Sequence, residues 1–305
     1  MKQIALLLML TMLVCVAMAD DAPAPATPAA TPETSAVAAP AVTAPAATSP
    51  AAALIDEANK LMDQSSYEVA LAKLAEAEKL DPKNSDIFRY QGYCYVNLKK
   101  YEDSIKAYDK CLELKPAPDV EVKAYLNKGE CYLSLQKPED AMKMFDKVII
   151  DMKVQDPNIL AGANIGKIGA LEALGKTSEV LAALPDLIKL NPQVGNNAAG
   201  KFYYDQKDYQ KAADAYSLSI AIDSKNPQVL YNCACCYALI KDAAKAIDCL
   251  TKGLAADAEL LKEKGRNFNL LGLIAADPDF TNIKDDPAFK KLCPAPAGTG
   301  EVKGN

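Results

Sequence analysis

The sequence contains no histidine and no tryptophan among its 305 residues. Histidine is the side chain most often used as a general base near neutral pH, and it is the commonest protein ligand for zinc and copper. A P-loop, a nucleophile elbow and a dinucleotide-binding fingerprint are missing from the sequence as well. We therefore expect a protein that is not an enzyme, with no catalytic residues, no cofactor and no metal site.

Long hydrophobic runs are also lacking, apart from one at the N-terminus. The run from Ile4 to Val16 is shorter than the roughly 20 residues that span a bilayer as a helix. It is followed by an Ala-Met-Ala sequence that ends at Ala19 and fits a signal peptidase site. We predict a signal peptide at residues 1–19, cleavage after Ala19, no membrane span, and export to the periplasm or secretion. Lipidation of Cys15 is not expected, because the preceding residue is not small.

The basic residues do not form clusters. Lysine and arginine number 34 against 40 acidic residues, which gives a net charge of −6, and the basic side chains are spread along the chain. Nucleic acids and anionic membrane surfaces are bound by clustered lysines and arginines. We therefore expect a protein or peptide partner and no nucleic acid. The sequence leaves the oligomeric state open.

Two segments are of low complexity. Residues 20–50 contain seven prolines and many alanines but no basic residue. Such a segment has no large apolar side chains to bury, so it cannot offset the entropy lost on ordering. We predict a disordered linker at 20–50 and a short disordered tail at 294–305.

From residue 51 onward, apolar residues recur at helical spacing and are interrupted by proline-containing steps at regular intervals. Pro82 and Pro116 are 34 residues apart, and Tyr203 and Tyr237 are again 34 apart. A period near 34 with helix-turn-helix content is typical of a helical solenoid. Small residues recur on the first helix of several units, and aromatic rings recur on both helices. We expect the small residues to lie where the two helices cross closely, with the rings filling the wedge between neighbouring pairs.

These units resemble the tetratricopeptide repeat family. The resemblance is clearest in the second, third and fifth repeats, in Phe88, Gly92, Tyr95, Tyr101, Tyr108, Tyr125, Gly129, Tyr132, Ala141, Phe145, Gly200, Tyr203, Tyr209, Ala212 and Tyr216. It implies an all-α fold, a right-handed superhelical solenoid of about six helix-turn-helix repeats over residues 51–256. Residues 257–293 are then a C-terminal helical cap, in which Asp277 to Leu292 resembles the short cap that ends many bacterial arrays of this family.

Three irregularities lead to local predictions. Pro185 falls within the second helix of the fourth repeat, where the missing backbone donor should kink or shorten the helix. The glycines of the second and third repeats are 37 rather than 34 residues apart, which places three extra residues in a loop around 117–120. Three glycines from Gly162 to Gly169 share one helix face, which indicates close helix packing or, less commonly, a bound peptide.

The sixth repeat contains four cysteines: Cys233, Cys235, Cys236 and Cys249. The first and third share a helix face, the second points elsewhere, and the fourth lies on the paired helix. A closed zinc site usually needs four cysteine or histidine ligands, and buried free cysteine packs as a small hydrophobic residue. We favour packing over a redox or metal–thiolate role. Disulfides are an intermediate hypothesis, with Cys111 and Cys131 as one pair that could face each other.

In the family that this chain resembles, the first helices of successive repeats line a groove that binds an extended peptide or a helix of a partner. The positions that match by register are Arg89, Tyr93, Asn97, Lys123, Asn127, Glu130, Asn197, Lys201, Tyr204, Tyr231 and Asn232. Asparagine can bond a backbone amide through both its donor and its acceptor, and arginine and lysine can hold carboxylates. We predict an exported scaffold for protein–protein interaction. The alternative is a structural or assembly factor of a cell-envelope complex that also binds through convex or edge surfaces.

Overall fold

The computed structural model describes residues 49–265 and 268–293, and these residues form helices and turns without a β-strand. The predicted signal peptide with Cys15, residues 20–48 of the predicted linker and the predicted tail lie outside the described residues. The chain divides into two compact units. The N-terminal unit comprises residues 1–154 and 169–174, and the C-terminal unit comprises residues 155–168 and 175–305.

The N-terminal unit contains three antiparallel helix pairs. They are α1 (Pro50–Asp63) with α2 (Tyr67–Leu80), α3 (Ser85–Asn97) with α4 (Tyr101–Glu113), and α5 (Pro118–Ser134) with α6 (Pro138–Asp146), which continues into a π-helical turn (Lys147–Asp151). The two helices of each pair pack together, and the second helix of one pair packs on the first helix of the next. Helix α7 (Pro157–Ala173) follows and is divided between the two units.

The C-terminal unit continues the alternation of first and second helices. Its elements are α8 (Thr177–Leu190), α9 (Pro192–Asp205) with α10 (Tyr209–Ile222), α11 (Pro227–Leu239) with α12 (Ala243–Lys264), α13 (Leu270–Ala276), a 3₁₀ turn (Pro278–Asn282) and α14 (Pro287–Leu292). Helix α12 continues to Lys264 and so crosses the predicted boundary at residue 256 between the array and the cap. The predicted all-α fold of tandem helix pairs is confirmed.

The turn within a pair has the same backbone conformation in four repeats. One residue takes a left-handed φ between 57° and 66°, and the next residue donates its N–H to a tyrosine carbonyl five positions earlier. The left-handed residues are Lys99, Gln136, Lys207 and Lys241. This arrangement satisfies carbonyls that the helix end leaves unpaired, so each turn ends one helix and starts the next.

The contact between the two helices of a pair depends on a glycine facing an aromatic ring. A Cβ atom built on Gly92 would lie 2.7 Å from the Tyr108 ring, one on Gly129 would lie 2.6 Å from Phe145, and one on Gly200 would lie 2.7 Å from Tyr216. The three rings are almost completely buried. Any larger residue at these glycines would push the ring away, so small residues lie at the helix crossing as predicted. These three rings, however, pack within a pair and were predicted to fill the wedge between neighbouring pairs.

The structure corrects parts of three local predictions. Pro118 to Val120 form the first turn of α5, so the extra residues lengthen that helix and do not form a loop. Helix α8 runs to Leu190 through Pro185, so the proline does not shorten the helix, and a kink at this position stays a prediction. A Cβ built on Gly162 would meet no atom within 4 Å, so close helix packing does not explain that glycine.

None of the helices within the described residues combines the length and the apolar character that crossing a bilayer requires.

The glycine–ring contact predicts opposite effects for two alanine substitutions. Gly129→Ala should lower the free energy of unfolding by up to about 2 kcal/mol, because overpacking costs roughly 1–3 kcal/mol and alanine returns about 1 kcal/mol of helix propensity. Gly162→Ala gains the helix propensity of alanine without a clash, so it should raise the free energy of unfolding by up to about 1 kcal/mol. Urea denaturation followed by circular dichroism measures both changes. Shifts of the same sign would contradict the account.

Candidate peptide-binding surfaces

Six of the predicted groove residues lie together on the N-terminal unit. We call them the N-terminal surface: Arg89, Tyr93 and Asn97 on α3, and Lys123, Asn127 and Glu130 on α5. Within each helix the positions are three or four residues apart and so share one face. The two helices contact each other directly. Asn97 is exposed, and the other five residues are half-buried.

Arg89 is held in place by two neighbours on its own helix. Its Nε donates to Oδ1 of Asp86 at 3.0 Å, and its guanidinium carbon lies 4.0 Å from the centroid of the Tyr90 ring. Only 20% of the arginine side chain is exposed. A guanidinium has five N–H donors in a planar fork, so the bond to Asp86 leaves others for a carboxylate.

Two asparagines of this surface are each fixed by a hydrogen bond to a backbone carbonyl of their own helix. Nδ2 of Asn97 donates to the carbonyl of Tyr93 at 2.9 Å, and Nδ2 of Asn127 donates to the carbonyl of Lys123 at 2.8 Å. Each side-chain amide has a second N–H and an acceptor oxygen, which together match the donor and acceptor of a peptide bond. The Tyr93 ring packs edge-on against Tyr67 of α2 at 6.4 Å between centroids.

Glu130 is the acidic residue of this surface. Burial raises the pKa of its carboxyl from an ordinary value of 4.5 to about 7. Near neutral pH the group therefore exists in both forms, and a protonated carboxyl can donate a hydrogen bond that a carboxylate cannot.

The other five predicted residues lie on the C-terminal unit. We call them the C-terminal surface: Asn197, Lys201 and Tyr204 on α9, and Tyr231 and Asn232 on α11. Lys201 pairs with Asp205 at 2.8 Å, and Asn232 accepts a hydrogen bond from Gln228 at 3.0 Å. All five are half-buried, and α9 contacts α11.

The two tyrosines of the C-terminal surface are occupied by the chain itself. The Tyr204 hydroxyl donates to Asp279, and the Tyr231 hydroxyl donates to Asp277. Burial and these hydrogen bonds raise the pKa of both tyrosines well above the ordinary range. The repeat pattern did not predict this role for the two aspartates, because they follow the last repeat. Their sequence signal is the Asp-Pro-Asp-Phe stretch itself.

One group of side chains could offer ligands to a metal ion. Sγ of Cys235 and carboxylate oxygens of Asp277 and Asp279 lie within 4.8 Å of one another. Both carboxylates already accept hydrogen bonds from tyrosine hydroxyls. The arrangement therefore works as a hydrogen-bonded cluster without an ion.

The eight cysteines from Cys94 onward are free thiols, and all except Cys293 are buried. Cys233 and Cys236 are fully buried in the apolar core of the C-terminal unit. Cys249 approaches Cys233 closely enough to share a hydrogen bond, which raises the pKa of Cys249. Burial raises the pKa of Cys94 and of Cys236 to about 12. Cys94, Cys236 and Cys249 are therefore protonated at neutral pH, and the buried thiols pack as the packing hypothesis expects.

Comparison with known proteins identifies the repeats. A tetratricopeptide repeat family model matches residues 55–119, and a second model of the same family matches residues 122–149. No match was found among curated protein sequences.

Solved structures with the same fold include three that align with most of this chain. PilW, described as a widely conserved type IV pilus biogenesis factor, has 16% identity and a TM-score of 0.52 over 78% of this chain and 99% of PilW. A tetratricopeptide repeat protein from Parabacteroides merdae has 18% identity and a TM-score of 0.57, with 72% and 84% of the chains covered. PilF from Pseudomonas aeruginosa has 14% identity and a TM-score of 0.53, with 77% and 96% covered. At these identities the likeness shows the fold, an all-α solenoid of tetratricopeptide repeats.

The raised pKa of Glu130 predicts a pH-dependent stability. The folded-state pKa lies above the unfolded value, so between about pH 4.5 and pH 7 the folded state binds more protons. The free energy of unfolding should therefore fall as the pH rises through this window, and the full penalty should be present above about pH 7. Glu130→Gln removes that penalty. Its stability gain over the wild type should be larger at pH 8 than at pH 4 by about 1–3 kcal/mol.

Urea denaturation at the two pH values measures this gain, and Glu102→Gln on an exposed position of α4 is the matched control. The same pH dependence in both variants would show that Glu130 is not the responsible group.

The buried thiols predict the outcome of a thiol titration. In protein produced from Asp20 onward, without reductant, Cys293 should react rapidly with an aromatic disulfide reagent, while the seven buried cysteines should react slowly. After denaturation all eight should react. Fewer than eight would reveal a disulfide that this structure lacks.

Proposed function

The chain is a tetratricopeptide repeat protein, and we propose that it is an exported scaffold that binds a peptide or an extended segment of a partner protein on the N-terminal surface. Tetratricopeptide repeat proteins act in protein–protein interaction, and their fold is generally a non-catalytic scaffold. The proposal assigns the chain no reaction. The observation that carries it is the immobilisation of Arg89, Asn97 and Asn127 by contacts within their own helices.

Immobilised polar side chains favour binding because less rotamer entropy remains to be lost. Ordering one long side chain at an interface costs on the order of 0.5–1.5 kcal/mol. Arg89 is already ordered by an ion pair and a ring contact, and each asparagine by a backbone carbonyl. The remaining donors and acceptors are therefore presented at fixed positions on two adjacent helices.

The same side chains indicate the chemistry of the ligand. Arg89 and Lys123 are cationic and suit carboxylates, while Asn97 and Asn127 suit the amides of an extended backbone. A raised pKa leaves Glu130 partly protonated near pH 7, which weakens its repulsion of an anionic ligand. A peptide with at least one carboxylate, bound in an extended conformation, fits this set best.

Export is supported by the leader-like sequence of residues 1–19 and by the proline-rich stretch that follows it. The location proposed is the periplasm or the medium.

A second candidate function is assembly of a cell-envelope complex through second-helix surfaces. A groove of about 270 Å³ lies between α8, α9 and α10 and is lined by apolar residues that include Pro185. Two leucines on its rim are unusually exposed, Leu181 at 43% and Leu218 at 58%. PilW is described as a type IV pilus biogenesis factor. An assembly role for this chain is proposed by analogy with that description.

Removing the two cations of the N-terminal surface tests the first candidate. The full chain, immobilised, is used to select peptides from a random display library. Wild type should enrich peptides that contain Asp or Glu, and Arg89→Ala with Lys123→Ala should lose binding of the selected peptides by roughly tenfold or more, because each hydrogen bond to a charged group contributes about 1.5–3 kcal/mol.

The control variant changes the charge equally on second helices of the same unit. Lys106→Ala with Lys143→Ala removes two exposed lysines that pair only within their own helices, with Asp103 and Asp140. It should bind the selected peptides like the wild type. Equal loss of peptide binding in both variants would mean that only the net charge matters. A third variant, Leu181→Lys with Leu218→Lys, changes the groove of the second candidate; loss of peptide binding in this variant alone would favour that candidate.

A further inference from the structure

The segment Asp277–Leu292, here called the resident segment, lies on a face that repeat register assigns to ligand binding. Its 3₁₀ turn packs on α11, and its short helix α14 packs on α12. The two hydroxyls of the C-terminal surface, on adjacent first helices, each donate to one of its carboxylates. Asn282 adds a bond from its side-chain amide to the carbonyl of Ala238 at 3.4 Å.

A buried aromatic ring anchors the resident segment between these polar contacts. Phe280 is 2% exposed. Its ring meets Tyr231 edge-on at 5.9 Å and Phe289 at 5.8 Å between centroids. An aromatic side chain in an apolar pocket, flanked by a few directed polar contacts, is the usual anatomy of a peptide-binding hot spot.

The four residues from Asp277 to Phe280 encode their own bound conformation. Oδ1 of Asp277 accepts the backbone N–H of Asp279 at 3.0 Å, and Pro278 occupies the first position of the turn. This local bond leaves Oδ2 of Asp277 for Tyr231. A separate peptide with the same four residues can therefore form the same turn and present the same carboxylates and ring.

The resident segment depends on docking for its structure. Its helical pieces have five and six residues, and helices this short are not stable alone in water. Their order therefore comes from contacts with the C-terminal surface. Three apolar side chains of the segment, Phe280, Ile283 and Phe289, are buried in the core of the C-terminal unit and hold it there together with the two tyrosine hydrogen bonds.

We propose that the surface built by Tyr204, Tyr231 and Cys235 is a binding site for peptides with an Asp-x-Asp-Phe sequence, and that the resident segment is its built-in, displaceable ligand. A tethered ligand acts at an effective concentration in the millimolar range, so a free peptide competes with it poorly. Binding of an outside peptide therefore requires that the resident segment be weakened or drawn away. This goes beyond the proposed function, which concerns the N-terminal surface.

Cys235 provides a reporter of the opening. Its thiol is 4% exposed and lies 4.0 Å from Oδ2 of Asp277. Burial and the two nearby carboxylates raise its pKa well above the ordinary value. Departure of the resident segment removes both causes, so the thiol becomes accessible and more reactive. Cys233, on the same helix, lies fully buried in the core and serves as the internal control.

Labelling of the full chain with a maleimide, mapped by mass spectrometry, tests the site. In Asp279→Asn with Phe280→Ala, Cys235 should label at least roughly tenfold faster than in the wild type, because a hydrogen bond to a charged group and a buried ring are lost. The synthetic peptide DPDFTNIKDDPAFKKL should slow that labelling again, and a scrambled peptide should not. Adding Tyr204→Phe with Tyr231→Phe should abolish the protection by the peptide.

Unchanged labelling of Cys235, or failure of the peptide to protect it, overturns the proposal. Faster labelling of Cys233 as well would mean that the variant has lost its core, and hydrogen exchange of the wild type is then the deciding measurement. By hydrogen exchange, amides of Asp277–Leu292 should exchange at least roughly tenfold faster than those of α11. Equal rates would make the segment a fixed part of the fold and contradict the proposal. None of these variants touches Arg89 or Lys123, so failure here leaves the test of the N-terminal surface unaffected.

Discussion

The contact between a glycine on one helix and an aromatic ring on its partner is the constraint on which the structure depends. Gly92, Gly129 and Gly200 each admit a ring so closely that a single added carbon would overlap it. The ring fixes the distance and the rotation of the two helices in a pair. Repeating the contact with the same turn between the helices gives the pairs α3–α4, α5–α6 and α9–α10 the same geometry. Hence a side chain at a given register position faces the same way in these three repeats.

This shared orientation explains why residues on successive first helices lie side by side and form a common surface. One face of α3 and of α5 packs against the ring of the paired helix. The opposite face of each helix carries polar side chains. In the N-terminal unit Arg89, Asn97 and Asn127 bond within their own helices and keep further donors. In the C-terminal unit the chain supplies its own carboxylates to two tyrosines. Equivalent surfaces of one fold thus differ in whether an intramolecular segment occupies them.

Much of the fold could be predicted from the sequence because the ring contact recurs with a fixed period. The spacing of prolines, small residues and rings located the helix pairs from α1 to α12. The errors arose where the period is interrupted. The extra residues before Val120 were absorbed by a longer helix, because a proline is tolerated in the first turn, where its missing N–H has no intrahelical partner. Pro185 is tolerated within α8. Periodicity contains no information on contacts between a repeat and a segment outside the array, so the pairing of Tyr204 and Tyr231 with Asp279 and Asp277 could not be predicted from it.

The central claim is that first-helix surfaces, positioned by the ring contacts, are where ligands bind. Hydrogen exchange of the full chain, with and without a peptide obtained by display selection, tests it most directly. The account predicts slower exchange in α3 and α5 on peptide addition, with no change in α4 and α6. Slower exchange confined to α4 and α6 would contradict it.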